Sequence, residues 1–247
     1  MIAILSPAKN MRETFPVPPG VPITRPLFLT ETMELLTQLR TLSAWELESA
    51  FRVNPQIALD AFCHFQDFDP ERVGIPSLYA YAGLAFTNLG AGDFTVEEMR
   101  FANDSLRILS GFYGLLRPCD GVLPYRLEMG CKLRFDGKTV YQFWGDKMYR
   151  ALFSSGEPVI NLASKEYSKA IEPYLQPTDR FITCEFVTFR KGKYTTIATS
   201  AKMARGQMCR FLVKERLTCP EQLCAFSWEG YTFVPERSDD SHYCFVQ

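Results

Sequence analysis

The stretch Leu109–Gly130, LSGFYGLLRPCDGVLPYRLEMG, breaks the pattern that leads into it. Upstream, Thr95 and Glu98 form a T-x-x-E capping box. Val96, Met99, Ala102, Leu106 and Leu109 then recur at helical spacing, which predicts a helix over 96–109. Gly111 and Gly114 follow, flanking Phe112 and Tyr113, and Arg117-Pro118 closes the segment. Two glycines three apart permit a tight turn or a close approach of backbone to another group. Two readings fit this pattern. One is a glycine turn packed beneath an aromatic cap. The other is a hairpin between helices whose backbone N–H groups, with Arg117 beside them, meet a nucleic-acid phosphate.

Working outward, Pro124-Tyr125-Arg126-Leu127-Glu128-Met129-Gly130 sets an arginine and a carboxylate two apart, so on extended backbone they share a face. Further motifs are Ser6-Pro7-Ala8-Lys9, Tyr141-Gln142-Phe143-Trp144-Gly145-Asp146, Ile160-Asn161-Leu162-Ala163-Ser164 and Ala201-Lys202-Met203-Ala204-Arg205-Gly206. In this order, across nearly the whole chain, these motifs resemble the YaaA family of bacterial peroxide-stress-resistance proteins. The chain departs from that pattern at Asn10, where threonine is expected after the lysine, and in its richness in cysteine.

The resemblance implies an unusual fold with a helix-hairpin-helix element and a basic cleft. It implies binding of double-stranded DNA with little sequence specificity, and a role in limiting oxidative damage and unincorporated iron. Carried onto this sequence, the motifs make Ser6, Lys9, Arg126, Glu128, Trp144, Asp146, Asn161, Ser164, Tyr167, Lys202 and Arg205 a candidate pocket. Gly111, Gly114, Arg117, Lys202 and Arg205 become the candidate DNA contacts.

A chain of 247 residues with 47% hydrophobic and 14% aromatic side chains can bury a sizeable core. No stretch approaches the ~20 apolar residues that span a bilayer. The N-terminus, MIAILSPAKN, has no basic n-region and too short an apolar run for a signal peptide, so the cytosol is the expected compartment and no membrane partner is expected. None of the eight cysteines forms C-x-x-C, and only His64 and His242 are present, so buried thiols are expected and neither a metal nor another cofactor is. Net charge is −1, yet residues 101–217 carry 19 basic and 11 acidic side chains, which places an anion-facing surface in the middle of the chain.

In chain order, residues 2–5 read as a buried strand and Lys9 follows its end. Helices are expected over 30–41, after the Ser43/Glu46 capping box, and after Asn54-Pro55. Ser77–Gly83 and Lys138–Phe143 read as strands, and 158–162 as another. Residues 180–200 form a hairpin around Arg190-Lys191-Gly192-Lys193, and 230–246 a terminal one. Ser164 either caps the next helix or turns toward an anion. On the helix 201–216, Arg205 borders the apolar stripe, whereas Gln207, Arg210 and Lys214 lie opposite and face solvent. A cation bordering a buried face needs a partner, either a carboxylate such as Glu128 or Asp146 or a ligand anion.

These elements mix without regular βαβ alternation, which predicts one α+β domain over 1–247. Lys9, Arg126 and Arg205 are expected to converge on one pocket with Glu128 or Asp146 nearby. Two functions fit: a DNA-binding protein of the peroxide response, or an enzyme acting on a nucleotide, nucleobase or nucleic-acid lesion through acid–base carboxylates among cations.

Overall fold

Ile2–Leu5 (β1) is buried at every position, as a central strand covered on both faces requires. The computed structural model describes residues 1–247. It is an α+β fold built on a mixed nine-stranded sheet. The other strands are Leu106–Ser110 (β2), Gly114–Leu116 (β3), Val159–Asn161 (β4), Phe181–Arg190 (β5), Lys193–Thr195 (β6), Ser227–Trp228 (β7), Tyr231–Phe233 (β8) and His242–Val246 (β9). Their order is β7-β8-β9-β5-β4-β1-β2-β3, with β6 paired to β5 alone.

The middle five strands, β9-β5-β4-β1-β2, run parallel. Ala3 stands between Leu106 and Ile160, and Asn161 stands beside Thr183. Antiparallel strands finish both sides of the sheet. One apolar cluster of 63 buried residues runs from Met1 to Phe245 and ties the helices to the sheet.

The capping signals work as read. Ser43/Glu46 and Thr95/Glu98 both form reciprocal boxes, and Asn54 accepts from Ile57 N–H ahead of Pro55. The expected helix over 96–109 ends at Ser105, because Leu106–Ser110 pairs with β1 instead. A short apolar run fits either state by period alone, and the pairing decides.

The same competition corrects two strand readings. Ser77–Ala80 is a helical turn, and only Tyr81–Ala82 is extended. Val140–Trp144 is a helix started by a Thr139/Gln142 capping box, a signal present in the sequence but passed over. The long helix begins earlier than expected, at Ala198, and runs to Lys214. The thiols are mixed: Cys119, Cys184, Cys209 and Cys244 are buried, whereas Cys63 and Cys219 are exposed.

The glycine turn joins β2 to β3, so its flanks are strands, and the reading of this turn as a hairpin between helices is corrected. Gly111, Phe112, Tyr113 and Gly114 are all buried. A Cβ on Gly111 would stand 2.5 Å from the Leu127 carbonyl oxygen. Gly114 has φ +73°, and its Cβ would meet the Trp144 ring at 2.6 Å. The first of the two readings therefore describes the turn: it is enclosed and packed beneath aromatics. No helix of the chain is long and apolar enough to cross a membrane.

Candidate functional site

From β1 the chain passes to β2 on one side and later to β4 on the other. The loops leaving the carboxyl ends of β1 and β4 therefore part, and a crevice opens where the strand order reverses. Ser6 ends one loop start and Ser164 the other. Ser6 Oγ accepts from Ser164 N–H at 2.8 Å and donates to Ser164 Oγ at 3.1 Å. Ser164 stands at the N-cap of Lys165–Ser168 but makes no side-chain cap. Its hydroxyl is joined to Ser6 at the floor of the crevice, which leaves the Ser164 O–H free to donate into it.

Above this floor lies a cleft of about 340 Å³. Its walls carry Lys9, Arg126, Lys202 and Arg205 against Glu128 and Glu166, together with Tyr125 and Tyr167. Lys9 is held because the next two residues pair with Tyr81–Ala82 in a short antiparallel ladder. Its Nζ reaches Glu128 at 3.0 Å, and Arg126 reaches the other carboxylate oxygen at 3.1 Å. The shared face of Arg126 and Glu128 thus becomes an ion pair on the cleft wall.

Gly206 sets the position of the third cation. A Cβ there would lie 2.0 Å from the Ala85 carbonyl oxygen, so glycine lets the long helix close onto Leu84–Leu89 and brings Arg205 to the cleft.

The electrostatics of the cleft are lopsided. Only three buried side-chain polar atoms lack a hydrogen-bond partner in the chain, and two of them, Arg126 Nε and Arg205 Nε, belong to side chains that line this cleft. Arg205 has no carboxylate within ion-pair distance. Burial pulls its pKa below the usual guanidinium value, with the Cys184 sulfur opposing. Burial also pushes the Tyr125 phenol up to about 12 and Tyr167 higher still, so both present neutral O–H groups at neutral pH.

Tyr125 is positioned from behind. Ser110 Oγ accepts the Phe112 and Tyr113 N–H groups at 3.1 and 2.9 Å, which commits its own proton to Tyr125 Oη at 2.6 Å. Tyr125 in turn meets Tyr81 Oη at 2.7 Å. The glycine turn thus serves the cleft as a buttress.

The structure brings Ser6, Lys9, Arg126, Glu128, Ser164, Tyr167, Lys202 and Arg205 around this cleft. It leaves other candidates outside. Asp146 pairs with Arg150 at 2.6 Å, so of the two carboxylates considered only Glu128 is present. Trp144 is buried under the glycine turn and donates to the Gly111 carbonyl at 2.8 Å. Asn161 is buried, folding its own loop through Ala163 N–H and Thr183 Oγ1. Arg117 pairs with Asp120, and Gly111 and Gly114 are enclosed.

Two wall residues, Tyr125 and Glu166, were not singled out, although Tyr125 stands inside the quoted PYRLEMG motif. The opposite face of the long helix is corrected as well. Arg210 and Lys214 are paired with Asp93 and Glu98 and are half-buried. A second, wider groove of about 930 Å³ adjoins the cleft and shares Lys9, Asn10, Tyr125 and Arg126 with it.

Fold and cleft together define an α+β protein with a cation-lined crevice at a strand-order reversal. The chain belongs to a family of peroxide stress proteins: the family model described as "Peroxide stress protein YaaA" matches residues 1–237. It is 42% identical over 251 residues to a UPF0246 protein of Limosilactobacillus fermentum, covering all of both chains. It is similar at 40% to one of Ligilactobacillus salivarius and at 36% to one of Clostridioides difficile, again over the full length of each.

Proposed function

We propose that this member of the peroxide stress family works by binding an anionic nucleotide unit, free or within DNA or another nucleic acid, in the cleft at the ends of β1 and β4. The observation that carries this reading is the pair of unpartnered, buried guanidinium Nε atoms on side chains that line one cleft. A buried charged donor without a partner costs stability, and a ligand oxygen between Arg126 and Arg205 removes that cost. A volume of about 340 Å³ suits a small ligand. Lys202 at the exposed rim adds attraction, and Ser164 and Tyr167 offer neutral donors. Glu128 supplies an acceptor for amino or hydroxyl groups.

Because such contacts read phosphate rather than base edges, DNA held this way is bound with little sequence preference. Any effect on unincorporated iron is placed downstream of that binding. Turnover of the bound unit is the second reading, favoured by Glu128, a carboxylate held among cations inside the cleft.

The test is titration calorimetry with a nucleoside monophosphate and with a 12-nucleotide single strand, for the wild-type chain and Arg205→Met. Both probes should bind the wild type, more weakly as salt rises. The variant should lose at least 30-fold in affinity for each. Absence of saturable binding to both probes, or an Arg205→Met chain that binds as well as wild type, would overturn the proposal. Product analysis of the same mixtures decides between binding alone and turnover.

A further inference from the structure

The parallel strands run toward the edge where the cleft lies, and β5 continues past the end of β4, flanked by β9 as far as Val187 and unaccompanied by it only at the tip. Asn161, the last residue of β4, stands beside Thr183, but β5 runs on to Arg190. At about 3.3 Å per residue the extension reaches roughly 23 Å past the end of β4. There it turns through Lys191 and Gly192, both with positive φ, as a two-residue hairpin does. The return strand β6 then feeds the helix whose Lys202 and Arg205 line the cleft.

The residues at the tip are unlike those of an ordinary solvated turn. Phe189 and Tyr194 face each other in register, with ring centroids 4.9 Å apart, and are 54% and 42% exposed. The Arg237 guanidinium stacks on Tyr194 at 3.8 Å. Arg190, Lys191 and Lys193 are exposed, and none has a carboxylate within ion-pair distance. Lys191 occupies a left-handed position that asparagine or glycine fills with less strain, so a charge sits at the apex despite that strain. Lysines alone would be explained as guards against edge-to-edge pairing of β6. Two exposed aromatics on the same tip are the wrong residues for a guard. Rings flanked by free cations match the surface on which unpaired bases stack while their phosphates are neutralised.

We propose that the hairpin tip Thr188–Thr195 is an arm that binds the single-stranded continuation of a polynucleotide whose terminal or flipped unit occupies the cleft. This rests on the nucleotide reading of the cleft and extends it to a polymer. Phe189 and Tyr194 take bases, and Arg190, Lys191 and Lys193 take phosphates.

The experiment compares wild type with Lys191→Ala/Lys193→Ala and with Phe189→Ser, all at exposed positions. The probes are a nucleoside monophosphate, a 12-nucleotide single strand and the matching duplex. Monophosphate affinity should stay within twofold for both variants. Single-strand affinity should fall about tenfold, and the double variant should flatten the salt slope by about 1.4, two charges at 0.7 each. Phe189→Ser should weaken single-strand binding more than duplex binding. Unchanged single-strand affinity in both variants overturns the arm and leaves the cleft reading standing. So does a wild-type chain that binds the single strand no more tightly than the monophosphate. A wild-type chain that binds neither probe overturns both readings.

Discussion

Arg205 and Arg210 stand five residues apart on one helix, and their surroundings are opposite. Arg210 is saturated. It meets both Asp93 carboxylate oxygens at 2.9 and 2.6 Å, also donates to the Leu89 and Gly90 carbonyls, and lies over the Phe94 ring. Arg205 is buried at its Nε, meets no carboxylate and borders a cleft. Arg210 clamps the long helix to the start of Val96–Ser105. Arg205 contributes nothing comparable, and its desolvation opposes folding. A chain that partners one arginine so fully and leaves its neighbour without an acceptor agrees with the proposal that the second meets a ligand.

The largest expected effect comes from removing the contact that positions both arginines. Gly206→Ala forces a methyl group against the Ala85 carbonyl, backbone against backbone, and should cost about 3 kcal/mol by urea unfolding. A neutral result would mean that this helix crossing does not depend on the glycine and that the arginine positions need another explanation.

Next comes Arg205→Met. Besides its loss of ligand affinity, it should raise stability by about 1 kcal/mol, seen as a Tm higher by roughly 2–4 °C. A loss of 3 kcal/mol or more would show that Arg205 satisfies a protein group after all, and the contrast with Arg210 would vanish.

Arg210→Met should do the reverse and do less. Ligand affinity should stay within twofold, while stability falls by about 1 kcal/mol, since Asp93 is more than half exposed and screening discounts the pair. The smallest effect is its pH dependence. The Arg210 hydrogen bonds hold the Asp93 carboxyl below its usual range. The folded value therefore lies under the unfolded one, near 3.9, so the stabilisation is complete above that pH and fades as pH falls through the folded value. The stability gap between wild type and Arg210→Met should be constant from pH 7 to about 5 and shrink below about 4. A gap that stays flat down to pH 3 would detach Asp93 from Arg210.

The family, the buried first strand and most helix starts were legible because their signals are local. A capping box is settled within four residues, and Ile2–Leu5 is apolar enough to be buried in any arrangement. The pairing of Arg126 with Glu128 was legible for the same reason, being fixed by the alternation of one short extended run.

What only the tertiary structure decided lies in contacts between distant segments. Leu106–Ser110 suits helix or strand equally, and β1 made it a strand. That choice turned the glycine pair from a surface hairpin into a buried buttress under Tyr125. Asp146 and Glu128 looked equivalent as partners for the cations, and they differ only in which neighbour each element carries to it. Charge count in the middle of the chain located an excess of cations, but not which would be paired. Arg210 is satisfied by an aspartate 117 positions away and Arg205 by none, and no periodicity along the helix encodes that. Local sequence sets what a segment can be. The energy that chooses among those options comes from burial and pairing across the fold, and the cleft exists only where those choices meet.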